Sequence, residues 1–245
     1  MATLIIVIIN VVVCVALKAI AASSTELSNW MVSLLGLDGS GFEAIVAQPW
    51  SLLTYMFTHI RASHLLMNML WLFSFGIILE KAYGWRPLLL AYLLGGLVGG
   101  ITFILCNASV SAPLLVGSSA AVLSVAFTAI ASGSIKFSPL PNSLRNTLVV
   151  LALLTAVVFI LLDYAAILNN NYVHISGGIV GLALGGTLLW QRRKSIAKTS
   201  LQAERKNADN AMLGKVSSKG FASLTAAERE RVFNISIANN SKSRQ

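Results

Sequence analysis

Apolar residues fill this chain in long unbroken blocks, with neither the alternation of a half-buried strand nor the single stripe of a soluble helix. Six blocks run over roughly 2–22, 60–79, 87–107, 114–132, 147–168 and 173–191. Each is near the about 20 residues that a helix needs to cross hydrocarbon. In lipid every backbone N–H and C=O must be satisfied inside the segment, so such blocks cross as helices. The pattern predicts an all-α, polytopic membrane protein: a six-helix bundle over 1–191, followed by a short polar tail over 192–245. The long connection 23–58 holds the apolar run Trp50 to Phe57, which is too short to cross. Two readings of that run stand open: an aromatic-rich element at headgroup level, or an early start to the second span.

Glycines add packing faces to two spans. Gly95, Gly96, Gly99 and Gly100 lie in the third, and Gly177, Gly178, Gly181, Gly185 and Gly186 in the sixth. Small residues at this spacing let helix backbones approach closely in a membrane. The sixth span is therefore expected to press against a neighbour. In the tail, Thr225-Ala-Ala-Glu228 is a capping box ahead of Val232, Phe233 and Ile235, which predicts one short helix there. Two readings of the basic tail stand open: a poorly ordered segment, or a small helical docking module.

Composition agrees with the blocks: 56% of the 245 residues are hydrophobic and 11% charged, against about 25% charged in a soluble domain. The net charge of +9 would suit nucleic acid, but its placement does not. With six spans the connections alternate sides, and sixteen of the eighteen lysines and arginines fall on one of them. Lys18 and Arg61 lie on the other side, with Glu26, Asp38, Glu43 and Asp163. Basic residues favour the cytoplasmic side, so both termini are expected there, and the charge reports topology. No nucleic-acid partner is expected; contact of the tail with anionic lipid is secondary. The first block lacks a basic leader and Lys18 interrupts the small-residue region after it, so it is expected to remain as a span. Cys14 and Cys106 show no metal-ligand spacing and read as small hydrophobes.

The polar exceptions inside the spans carry the chemistry, since such groups are costly in hydrocarbon. His64 and Asn68 stand near the start of the second span, Ser119 in the fourth and His174 near the start of the sixth. These three spans run in the same direction, so the four residues share one layer beneath the outer face. Ser119 is expected roughly 8–10 Å inside its helix, counted from Pro113 at about 1.5 Å per residue. A serine needs a base to become nucleophilic, and His174 is the one at that depth. With Asp163 displaced from the layer, a dyad follows rather than a triad. His64 and Asn68, four residues apart on one helix face, can donate hydrogen bonds to an oxyanion together with the Ser119 N–H. His59 reads as a hydrogen-bonding residue at the outer edge, positioning the first loop. No metal site is expected: His59 and His64 are five apart, about 140° around a helix, and His-Glu-x-x-His is absent.

In this order the residues resemble the rhomboid family of intramembrane serine proteases. The family's hallmarks are His-x4-His-x3-Asn, a Gly-x-Ser-Gly motif, and a histidine followed by close-packing glycines. Here these are similar to His59–His64–Asn68, Gly117-Ser118-Ser119, and His174 with Gly177 and Gly181. Gln48-Pro49-Trp50 and Glu80-Lys81-x-x-Gly84 also look like bacterial members. The resemblance covers about residues 4–190 and implies a six-transmembrane-helix protease domain in a bacterial inner membrane. It implies that Ser119 attacks, His174 is the base, and His64, Asn68 and the Ser119 N–H hold the oxyanion. The substrates implied are single-span membrane proteins cut near the outer face, with no cofactor. Two positions depart from the family pattern. Ala120 replaces a glycine, which is expected to crowd the oxyanion region. Leu123 stands where many members place a tyrosine against the histidine. The main rival is a catalytically silent relative that binds membrane clients; a proton channel or transporter fits less well, because the inner halves of these spans are nearly all apolar.

Overall fold

The computed structural model describes residues 1–107, 114–137, 150, 154 and 171–242. The fifth expected span, apart from Val150 and Leu154, lies outside the described residues, as do Pro113, Arg145 and Asp163. Among the described residues the regular elements are helical. They are α1 (Ala2–Ser23), α2 (Thr25–Leu35), α3 (Phe42–Ala47), α4 (Ser51–Thr54), α5 (Ala62–Tyr83), α6 (Trp85–Asn107), α7 (Ser119–Ala131), α8 (Asn171–Lys219) and α9 (Ala226–Lys242). Short 3-10 turns occupy Tyr55–Phe57, Ser134–Phe137 and Phe221–Ser223. Helices α1, α5, α6 and the stretch Tyr172–Lys219 are long and apolar enough to cross a membrane. The chain divides into two compact units, Met1–Leu189 and Trp190–Gln245.

In the first unit the end of α5 meets the start of α1. The Glu80 carboxylate accepts from the Ala2 N–H (2.7 Å), the Thr3 N–H (3.0 Å) and the Thr3 hydroxyl (2.7 Å). A helix start leaves backbone N–H groups without intrahelical acceptors and carries partial positive charge, so a carboxylate there satisfies both. The contact places the start of α1 and the end of α5 at one level, as alternating crossings require.

The run 50–57 forms neither an early start to α5 nor a continuous helix. It folds as α4 and a 3-10 turn, then extends through Thr58 before α5 begins at Ala62. Packing decides this: Tyr55 and Met56 are fully buried. The Tyr55 hydroxyl donates to the Gly96 carbonyl at 2.6 Å, and a Cβ on Gly96 would meet Met56 Cε at 2.3 Å. Glycine in α6 thus makes room for the turn that precedes α5.

Helix α7 is shorter than its apolar block. It begins at Ser119, because Leu115 and Gly117 ahead of it hydrogen-bond to the backbone of Leu37 and Tyr55. Leu115 and Leu37 exchange both backbone hydrogen bonds at 2.9 Å, and the Gly117 N–H donates to the Tyr55 carbonyl at 2.9 Å. Helix α8 packs on α7 through Gly177, Gly181 and Gly185. A Cβ at these positions would lie 2.3 Å from Ala120 O, 2.4 Å from Ser124 O and 2.6 Å from Ala131 Cβ.

The second unit is helical, where one of the two readings of the tail had it poorly ordered. Helix α8 runs on through the polar sequence to Lys219, since Ala, Leu, Gln, Glu, Lys and Arg are good helix formers and the first break is Gly220. The capping box forms as read: Thr225 N–H and hydroxyl donate to Glu228 Oε2 at 2.8 and 3.0 Å, and the Glu228 N–H reaches the Thr225 hydroxyl at 3.3 Å. Lys215 with Glu228 and Arg231 with Asp209, both at 2.9 Å, tie α9 back to the preceding helix.

Candidate active site

Ser119 is the first residue of α7, and its Oγ lies 2.8 Å from His174 Nε2 in the first turn of α8. Both side chains are half-buried. Two features hold the pair at this distance. Gly177, one turn after His174, lets α8 approach the carbonyl of Ala120, the residue after Ser119. Asn107 at the end of α6 donates to the Tyr172 hydroxyl, two residues before His174. A neutral imidazole accepts from the hydroxyl in this geometry, which is the arrangement a base needs to take its proton.

The expected depth of Ser119 is corrected: it stands at the helix start instead of 8–10 Å inside. This placement changes the chemistry available. The first bond within α7 runs from the Val122 N–H to the Ser118 carbonyl, so the Ser119 N–H has no acceptor one turn back. A helix start is a site where negative charge is favoured.

Gly117 has φ +113°, a conformation that side-chain-bearing residues rarely adopt, and a Cβ there would lie 2.5 Å from His64 Cε1. The imidazole of His64 therefore rests against the backbone two residues ahead of Ser119. Asn68, one turn along α5, is buried. Its Nδ2 donates to the His64 carbonyl at 3.1 Å and approaches His59 Nε2 at 3.2 Å. The carbonyl contact requires the amide nitrogen on that side, so His59 Nε2 is the acceptor and its proton sits on Nδ1. The structure thus brings His59, His64, Asn68, Gly117, Ser119, His174, Gly177 and Gly181 into one region of the first unit.

His59 hydrogen-bonds, as read, and its partners are Asn68 and the turn before Ser119. It is fully buried and lies behind the serine turn. Its Nε2 is 3.3 Å from the Ser118 N–H and 3.4 Å from Ser118 Oγ. The two imidazoles of His59 and His64 meet edge to face, with centroids 5.3 Å apart. Burial, and after it the neighbouring His64, pushes the His59 pKa down to about 4, so this histidine is neutral at physiological pH.

The Ala120 methyl points away from the region it was expected to crowd. Its Cβ lies 2.7 Å from where a Cβ on Gly99 would stand, so the space comes from glycine on α6. Leu123 is half-buried on α7. Sequence reasoning passed over the residues behind the site. Asn10 on α1 donates to the Tyr92 hydroxyl at 3.2 Å, and Tyr92 donates to the Met56 carbonyl at 3.1 Å. A lone asparagine within the first apolar block was the available signal.

An all-helical membrane protein that holds a serine hydroxyl on an imidazole, beside a helix start, defines a class of intramembrane hydrolase-like folds. Residues 46–191 match the Rhomboid domain family. The chain is 32% identical over 148 residues to RHOMBOID-like protein 6, mitochondrial, of Arabidopsis thaliana, covering 59% of this chain and 45% of that protein. It is 33% identical over 145 residues to RHOMBOID-like protein 4 of the same plant, covering 58% and 34%. Against Rhomboid-like protease 3 of Toxoplasma gondii it is 26% identical over 137 residues, covering 56% and 51%. The matched region spans about half or less of each relative's length. The chain belongs to the rhomboid family, and is an integral, multi-pass membrane protein of that intramembrane protease family.

Proposed function

We propose that this chain is an active intramembrane serine endopeptidase that cuts single-span membrane proteins near the outer membrane face. The observation that carries the reading is the 2.8 Å approach of Ser119 Oγ to His174 Nε2. In the first step the Ser119 proton passes to His174 Nε2 while Oγ bonds to the substrate carbonyl carbon. The developing oxyanion accepts from the Ser119 N–H, from His64 and from Asn68. His174 then returns the proton to the leaving amide nitrogen as the C–N bond breaks. Water, deprotonated by His174, releases the acyl group from Ser119. No metal or organic cofactor takes part.

The substrates are transmembrane proteins presented within lipid, at bonds flanked by small residues in helix-destabilised segments. The site opens outward and both termini face the cytoplasm, as in a bacterial inner membrane; the partition of basic residues supports this orientation. A serine-directed fluorophosphonate should label the purified protein and leave Ser119→Ala unlabelled. Equal labelling of the two, or none of the wild type, would remove Ser119 as an activated nucleophile and favour the silent client-binding relative.

A further inference from the structure

Asn68 has a conflict to resolve if it serves an oxyanion. Its amide carries two N–H donors, and both are taken: one by the His64 carbonyl at 3.1 Å, the other by His59 Nε2 at 3.2 Å. The carbonyl belongs to the same helix, one turn back, and cannot move away. The contact with His59 is the one that can be given up.

His59 Nε2 has a replacement at hand. It offers a single lone pair, yet three donors crowd it: the Asn68 amide, the Ser118 N–H at 3.3 Å and the Ser118 hydroxyl at 3.4 Å. The Ser118 hydroxyl also neighbours the Tyr92 hydroxyl. Tyr92 donates its own proton to the Met56 carbonyl, and its oxygen, which already accepts from Asn10 at 3.2 Å, has a second lone pair with which to accept. A serine O–H rotates freely and can serve either acceptor. Ser118 and His59 are both buried, at 1% and 0% exposure, so water does not stand in for a lost partner.

We propose that His59 and Ser118 form a positioning pair that holds Asn68 until charge develops and then releases it to the oxyanion. Before that step Asn68 donates to His59 while the Ser118 hydroxyl turns to Tyr92. When the oxyanion forms, Asn68 turns to it and the Ser118 hydroxyl turns to His59, taking the place of the amide beside the Ser118 N–H. The exchange moves no heavy atom of the backbone and transfers no proton. It rests on the protease reading above and adds to it a reason for a second serine beside the nucleophile.

The exchange appears only as charge develops, so its loss lowers kcat and leaves KM unchanged. Ser118→Ala keeps the N–H and removes the hydroxyl, and should lower kcat by about 2–10-fold, the effect of one net hydrogen bond. The decisive arm is the pair: in an Asn68→Ala background the Ser118→Ala change should have no further effect on kcat, because there is no amide to release. A merely structural serine would cost the same factor in both backgrounds, and that result would overturn the proposal. So would Ser118→Ala at full wild-type kcat. Asn68→Ala at full wild-type kcat would instead defeat the oxyanion role itself, and the exchange with it. A readout free of turnover uses protein labelled with nitrogen-15, whose Ser119 has been modified by a fluorophosphonate. On modification the Asn68 side-chain amide resonances should shift while His59 stays the Nδ1–H tautomer. An unmoved Asn68 amide would overturn the exchange.

Discussion

At the scale of single residues, the site separates into two tiers. Ser119, His64 and His174 are half-buried and can meet a substrate, whereas His59, Asn68 and Ser118 are buried behind them. The proposed roles, more than the tiers, grade the expected losses. Ser119→Ala and His174→Ala remove the nucleophile and the base, and should each leave almost no cleavage of a single-span reporter. One oxyanion donor is typically worth about 10²–10³ in rate, or about 2.7–4 kcal/mol. His64→Ala and Asn68→Ala should each show the lower end of that range in kcat, since three donors share the charge. Rates and apparent affinities in detergent check this, and wild-type rates for both variants would take these side chains out of the mechanism. The residues that gather at the candidate site were legible in the sequence because polar groups stand out against hydrocarbon. The posts of His59 and Ala120 were not. Burial of an imidazole behind a turn depends on the Leu37 and Tyr55 contacts, and the direction of one methyl depends on a glycine in another helix. Neither is written in local spacing.

At the scale of elements, the contact of α8 with α7 governs the distance between base and nucleophile. Alanine is normally the better helix former by about 1 kcal/mol, so replacing a glycine in α8 should help if nothing opposes it. At Gly186 a Cβ meets open space, whereas at Gly181 it would lie 2.4 Å from Ser124 O, a backbone atom that cannot yield. Gly186→Ala should therefore keep wild-type turnover. Gly181→Ala should push α8 outward, at about 1–3 kcal/mol of strain, and lower turnover at least about tenfold through a misplaced His174. Equal activity in the two variants would show that this contact does not set the site. In the second unit, the Lys215 ammonium, then the Thr225 N–H and hydroxyl, hold the Glu228 carboxyl down to about 2 from its usual 4.5. A depressed carboxylate contributes order that is complete above about pH 4.5 and is lost as pH falls through the folded value. The Thr225 and Glu228 amide resonances should hold until about pH 4.5 and shift toward pH 2, with an inflection at the ordinary carboxylate value as the contrary result. The apolar blocks predicted which elements cross, because length and hydropathy decide that. They misjudged two ends: α7 starts late because its leading residues pair with Leu37 and Tyr55, and α8 overruns its block because helix-forming residues continue it.

At the scale of the whole molecule, the basic residues sort to one side of the expected crossings, and this carries a direct test. On intact cells an impermeant thiol reagent should label a cysteine placed at Ser40 and miss one placed at Ser217. The opposite labelling would invert the membrane orientation and turn the site toward the cytoplasm. The all-α, multi-pass fold was legible from the blocks alone, since a bilayer permits few alternatives. Which helices touch was visible only where glycines marked the faces. Ser119 and His174 stand 55 positions apart in the chain, with the base supplied by the last crossing helix described. A ribosome adding about 5–20 residues per second makes the serine roughly 3–11 s before the histidine. During that interval the turn at Gly117 already has its partners, Leu37, Tyr55 and His64, while the hydroxyl has no base. Under the proposed function a nascent chain is inert toward the other spans being inserted around it, and competence arrives only when α8 is seated: the order of synthesis then serves as a safety catch.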